Sequence, residues 1–185
     1  MSCEASIIQT RQEGEAQEGE ALSDLRQDLA RLHGEAWAWA VSCCRGDRQR
    51  AHDVLHDAYV QILVGRAAFE ARSTFKTWVF GVIRVVAMAA RRRRLVLDFV
   101  FEPIGPRAES VAAPEMPRSA PPRLVRAIAA LPRRQSEIVT LVYAHDMTIE
   151  EAAAVMNVSL GAARQHHARA KQKLRAAVNL ENDYE

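Results

Sequence analysis

Six of the chain's seven prolines fall between Pro103 and Pro122, in the stretch "PIGPRAESVAAPEMPRSAPP". Proline has no amide hydrogen to donate and its ring clashes with the preceding helical turn. So dense a cluster cannot sit inside a helix or a central strand. The stretch reads as an extended, semi-stiff linker. It divides a chain of 185 residues, long enough for two small domains. The expected layout is an acidic, disordered tail at 1–21, a domain at 22–100, a linker at 101–122, a second domain at 123–180 and a short tail at 181–185.

Both domains read as all-α. Leu25, Leu29, Leu32, Ala36 and Trp39 recur at helical spacing within Leu22–Cys44. "RGD" at 45–47 is a turn, and Asp47 can cap the next helix. That helix carries Ala51, Val54, Leu55, Ala58 and Ile62 on one face and ends at Gly65. Ser73 can cap a third helix, with Phe75, Trp78, Val79, Val82 and Val86 as its apolar stripe. "LVLDFVF" at 95–101 fits either a continuation of that helix or a short extended piece. The second domain opens with a helix near Leu124–Leu131. Pro132 suits the first position of the next, which runs to about Tyr143.

The net charge of +2 hides a pattern. Residues 1–30 are acidic, 31–94 strongly basic, 95–122 acidic and 123–185 basic. Two basic blocks suggest a polyanion gripped at two places. Three cysteines, two of them adjacent, make neither a disulfide framework nor a C-x-x-C site, so a reducing cytoplasm is expected. No stretch reads as a signal peptide or is apolar for long enough to span a bilayer, and no membrane insertion is expected.

The most specific local signal is "TIEEAAAVMNVSLGAARQHHARAKQKL", Thr148–Leu174. Thr148 and Glu151 form a capping box that starts a short helix. Asn157 follows as the corner, since asparagine tolerates the left-handed conformation that a sharp turn needs. Ser159 caps the last helix, and small residues at Ala152, Ala153, Gly161, Ala162 and Ala163 let the two helices approach closely. This is the grammar of a helix-turn-helix. After Asn157 no acid appears until Glu181. Arg164, Gln165 and His166 are placed to read base edges in a major groove, and Arg169, Lys171 and Lys173 to hold phosphates.

Two features of the first domain also call for a partner. Asp53 and Asp57 lie four apart beside His56, opposite the apolar face. Like charges at that spacing cost a few tenths of a kcal/mol, which a cationic protein surface would offset. Further on, "FEARSTFKTWVFGVIRVVAMAARRRR" joins a polar loop to a helix ending in four arginines. Aromatics beside cations suit single-stranded DNA. Phe75, Trp78 and Val79 are more simply core, so the candidate nucleotide contacts are Arg72, Ser73, Thr74, Lys76, Arg84 and Arg91.

These three stretches, in this order, resemble the extracytoplasmic-function (group 4) sigma factors of bacterial RNA polymerase. "GDRQRAHDVLHDAYVQIL" is similar to their region 2 polymerase-docking stretch, "STFKTWVFGVIRVVAMAARRRR" to the helix that follows it, and "ALPRRQSEIVTLVYAHDMTIEEAAAVMNVSLGAARQHHARAKQKL" to region 4. The resemblance implies a non-catalytic, cofactor-free, cytoplasmic subunit that directs the core enzyme to promoters. Asp53, His56, Asp57, Val60 and Gln61 would dock on the β′ clamp, and region 4 would lie by the β flap. The loop and helix from Arg72 would recognise and melt the −10 element, and the helix from Ser159 would read the −35 duplex. The linker would thread toward the RNA exit path, and an anti-sigma factor is a partner usual in such families. His56, Asn157, Ala163 and His167 depart from the residues usual there, so the last helix is expected to pack loosely.

Other readings are a stand-alone, dimeric helix-turn-helix regulator and a helical adaptor for acidic proteins. His52 and His56, four apart and near Cys43 and Cys44 in sequence, lack a dictated fourth ligand, so no metal site is expected. Nor does any constellation of serine, cysteine or carboxylate suggest catalysis.

Overall fold

Each helix begins or stops where local chemistry dictates. The computed structural model describes residues 2–100 and 122–182, and among them the regular structure is entirely helical. The order is α1 (Ser2–Cys43), α2 (Arg48–Leu63), α3 (Phe75–Val100), α4 (Pro122–Ala129), α5 (Arg133–Ala144), α6 (Ile149–Met156) and α7 (Leu160–Asn182). Most of the proline-rich stretch, 101–121, lies outside the described residues, as does the end of the chain from 183.

Asp47 starts α2 by accepting the Arg50 amide at 3.0 Å. Gly65 stops it with φ +72°. Its amide bonds the Ile62 carbonyl at 3.1 Å, and the Arg66 amide reaches back to Gln61 at 2.9 Å. Asn157 ends α6 in the same way. Its φ is 49° and ψ 56°, its amide bonds Ala154, and the Val158 amide bonds Ala153, both at 3.1 Å. This paired pattern satisfies carbonyls that the helix end would otherwise leave bare.

Three expectations about boundaries need revising, and one open reading is settled. Residues 2–21 of the acidic stretch lie in α1, which begins at Ser2, where a disordered tail was expected. Its glutamates, glutamines and alanines are good helix formers, and Gly14 and Gly19 each weaken a helix by only about 1 kcal/mol. Thr74, not Ser73, caps α3, its Oγ1 accepting the Thr77 amide at 3.2 Å. Pro132 sits one position before α5, at φ −53° and ψ 141°, and its carbonyl accepts the Gln135 and Ser136 amides. The ambiguous segment after Arg94 continues α3 as far as Val100.

Trp39, Ala40, Ala51, Ala58, Val79, Phe80 and Ile83 close the first bundle, α1–α3, each essentially inaccessible. Phe80 and Ile83 lie beyond the stripe read from the sequence, whereas Phe75 and Trp78 are only partly covered. In the second bundle, α4–α7, the core is Ile128, Ile138, Leu141, Ala152, Met156, Ala163 and Ala170. Fully buried alanines at 152 and 163 show that α6 and α7 do close tightly, against the loose packing expected of the last helix.

The two bundles share a face, with α3 packed on α6 and α1 touching α5. At its centre is His145, just past α5 and buried. Its ring meets Phe80 edge-on at 4.8 Å and Trp39 edge-on at 5.9 Å. Those two rings stack on each other, and the Trp39 indole donates to the Phe80 carbonyl at 3.0 Å. Burial, and then the nearby Lys76 ammonium, push the His145 pKa down to about 4; Glu35 and Asp146 pull weakly the other way.

Two outcomes follow from these contacts. Asn157→Ala should lower stability by about 1–2 kcal/mol, because alanine is strained at positive φ, while Asn157→Gly should not; equal urea midpoints for wild type and the alanine variant would contradict the strain argument. The unfolded chain, with its histidine near 6.5, binds more protons than the folded one between pH 6.5 and about 4. The His145 contribution is therefore complete above pH 6.5 and fades as pH falls. His145→Gln should remove roughly 2 kcal/mol of the stability loss between pH 7 and pH 5, read as a smaller wild-type-minus-variant difference in urea titrations.

Candidate nucleic-acid interface

The helix-turn-helix assembles as its local signals require. Thr148 Oγ1 accepts the Glu151 amide at 3.1 Å, and the Glu151 carboxylate accepts the Thr148 amide at 2.9 Å. The Ser159 hydroxyl accepts the Ala162 amide at 3.2 Å and starts α7. Along α7, Gly161, Arg164, Gln165, Ala168, Arg169 and Gln172 are all exposed. They fall at helical spacing and make one solvent-facing stripe. Arg164, Gln165 and Arg169 thus stand together, separated by positions with little or no side chain. Lys173 is exposed beside them, while His166 and Lys171 are half-buried at its flanks. Arg164 is not loose: its guanidinium donates to Glu150 of α6 at 3.2 Å.

Sequence reasoning missed Tyr143. It stands 51% exposed at the end of α5. Its ring stacks on His167 at 5.7 Å, and its hydroxyl shares a hydrogen bond with His167 Nε2 at 3.1 Å. Burial and the nearby Lys171 lower the His167 pKa, which favours a neutral imidazole there. The bulky apolar residue that seemed lacking at 167 is thus replaced by a histidine–tyrosine pair.

On α2 the carboxylates of Asp53 and Asp57 are 67% and 59% exposed, each beside a histidine: His52 at 3.8 Å and His56 at 4.0 Å. Val60 is exposed on the same helix and Gln61 half-buried. Two acids and an uncovered valine leave this ridge both charged and partly apolar. Among the described residues, no group of three or more histidine, cysteine or acidic side chains is close enough to hold a metal ion.

The six candidate nucleotide contacts divide. Arg72, Ser73, Thr74 and Arg91 are exposed. Arg72 pairs with Glu70, and Thr74 is engaged as the α3 cap. Lys76 pairs with Glu35 and donates to the His145 carbonyl at 2.8 Å. Arg84 is buried; its Nε and Nη2 both donate to one Glu137 oxygen at 3.2 Å. Arg133 holds the other Glu137 oxygen at 2.8 Å, and Arg134 lies 3.8 Å away. Cys43 is buried near this cluster, and burial, followed by the Glu137 charge, raises its thiol pKa. No periodicity signals a partner on another helix, so sequence reasoning could not place Arg84 inside.

Comparison with known proteins agrees with this geometry. The family model described as sigma-70, region 4 matches residues 123–174. The chain is 26% identical over 167 residues to the ECF RNA polymerase sigma factor EcfG of Rhodopseudomonas palustris (strain TIE-1), covering 85% of this chain and 86% of that one. It is 37% identical over 57 residues to the RNA polymerase sigma factor FliA of Yersinia enterocolitica, covering 31% of this chain and only 25% of that protein. Two solved structures share the fold. One is the sigma factor RpoE in complex with the anti-sigma factor NepR from Bartonella quintana, with TM-score 0.66, 22% identity and coverage of 84% and 97%. The other is CnrH in complex with the cytosolic domain of CnrY, with TM-score 0.57, 23% identity and coverage of 88% and 90%. Residues 123–174, with their capped helix-turn-helix and cationic stripe, thus match sigma-70 region 4, and most of the chain shares its fold with these two structures.

Proposed function

We propose that this chain is an alternative sigma factor, which binds core RNA polymerase and directs it to a set of promoters. It is a binding subunit and catalyses no reaction. The observation that carries this reading is the α7 stripe: a helix positioned by a rigid corner, with Arg164, Gln165 and Arg169 exposed in line. Arginine pairs with guanine edges and glutamine with adenine edges, each good bidentate contact being worth about 1–3 kcal/mol of discrimination. Lys171 and Lys173 supply sequence-independent attraction to phosphates. This half takes the −35 duplex.

The first bundle does the rest. Asp53, His56, Asp57, Val60 and Gln61 form the docking ridge for the β′ clamp, and the second bundle meets the β flap. Arg72, Ser73, Thr74, Lys76, Arg84 and Arg91 serve the −10 strand. The stretch 101–122 acts as a semi-stiff tether between the halves, and the cytoplasm is the place of action. Two proteins of the same fold are described in complex with an anti-sigma factor or another protein's cytosolic domain, which supports a partner of that kind here. No described helix is long and apolar enough to cross a membrane.

In vitro transcription with sigma-free core enzyme over a genomic library tests the function directly. Run-off RNA from a discrete set of start sites is expected; none from any template would refute it. Asp53→Ala with Asp57→Ala should weaken core binding at least about tenfold while leaving stability unchanged or slightly raised, since the like-charge pair is relieved. Fluorescence titration against core enzyme, alongside urea unfolding, separates these effects. Arg164→Ala should relax base choice in the −35 duplex, whereas Lys173→Ala should weaken all sequences alike and lower the salt slope by about one. The same loss on every duplex from both variants would contradict that division.

A further inference from the structure

A tyrosine half in water needs no protein partner, yet Tyr143 has a specific one. It is 51% exposed at the end of α5. Its ring stacks on His167 with centroids 5.7 Å apart and planes 25° apart, and its hydroxyl lies 3.1 Å from His167 Nε2. His167 comes three positions after Arg164 and four before Lys171, so the three share one side of α7. Lys171 is near enough for its charge to act on the imidazole. We propose that Tyr143 is a DNA contact supplied by α5: His167 Nε2–H donates to the phenol oxygen, and the phenol O–H, turned outward, donates to a backbone phosphate beside Lys171. The inference rests on the promoter reading above and adds a contact from outside the two helices of the motif.

The position of one proton decides what the tyrosine offers. A neutral imidazole carries its hydrogen on Nδ1 or on Nε2. With Nε2 bare, the phenol donates inward and shows only lone pairs to the outside. With Nε2 protonated, the phenol accepts inward and its own hydrogen is free. A backbone phosphate oxygen can only accept, so an approaching strand selects the second arrangement. Hydroxyl groups of this kind are ordinary donors to DNA phosphates. The stack fixes the ring plane in advance, and a tyrosine has only two side-chain torsions to order. The acid that α6 brings to this side, Glu150, is already paired with Arg164 at 3.2 Å. Lys171 draws the phosphate by charge, and Tyr143 adds direction without adding charge. Such a contact releases no counterion, so its contribution to affinity is independent of salt. His167 touches no DNA; it is a positioning residue. A bulky apolar side chain at 167 would support the ring but could not orient the proton.

The test uses the full chain and a short mixed-sequence DNA duplex labelled with fluorescein, read by anisotropy over a range of salt. Tyr143→Phe keeps the stacked ring and loses the hydroxyl. It should bind about fivefold more weakly than wild type, with the salt slope unchanged, whereas Lys173→Ala lowers that slope. An affinity within about twofold of wild type, or a slope lowered as in Lys173→Ala, would overturn the inference. His167→Phe keeps a ring against Tyr143 but cannot direct its proton. Adding Tyr143→Phe to it should cost less than the same change costs wild type; equal costs would overturn the positioning role. Should Tyr143→Phe lose its helical circular dichroism, nitrogen NMR of the wild-type imidazoles decides. His167 Nε2 should carry the proton in the duplex-bound chain, and a bare Nε2 there would overturn the inference. Run-off transcription is scored in parallel. Normal transcripts with an unaltered Tyr143→Phe remove the Tyr143 contact alone, while the Tyr143→Phe loss without any transcript removes the sigma-factor reading.

Discussion

A single carboxylate organises the meeting of the two halves. Glu137 lies buried with arginines from both bundles around it. Such an arrangement contributes little net stability, because removing the charges from water offsets most of their attraction. What it supplies is uniqueness. With Glu137 paired to Arg84, the second bundle has one favourable seat on the first, and sliding the two would strand a charge in apolar surroundings. The ring corner of Trp39 and Phe80 adds the same kind of constraint through shape, accepting His145 edge-on.

What was legible in the sequence was local. Asp47, Gly65, Thr148, Asn157 and Ser159 act within four residues of themselves, through hydrogen bonds that any chain with those side chains would make. The apolar face of α2 was equally plain, because Ala51, Val54, Leu55, Ala58 and Ile62 need only one buried side. With the core fixed, the exposed acids of the opposite face followed. On α7 the sequence put Arg164 and Gln165 together but grouped them with His166, which is half-buried, instead of with Arg169, which shares their exposed stripe.

What was not legible depends on distant partners. Arg84 sits in an apolar run, and its burial is explained only by a glutamate 53 residues away. His145 looked like part of a polar turn, and its site exists only because α1 and α3 place two aromatic rings beside it. Tyr143 and His167 each look unremarkable until α5 and α7 bring them together. The N-terminal residues were misjudged for a different reason: few large apolar side chains argued against a core, but a helix extending from a packed one needs only suitable local propensities.

The exposed stripe of α7 has one more property. Gly161 and Ala168 interrupt it, and a side-chain carbon added at Gly161 would meet nothing within 4 Å. Larger residues there would reach outward without touching the hydrophobic interior, and any of them would raise helix propensity at 161. The side chains of this surface are therefore uncoupled from folding. A lineage carrying this scaffold has room at Gly161 to vary that surface by substitution while the architecture beneath stays as it is.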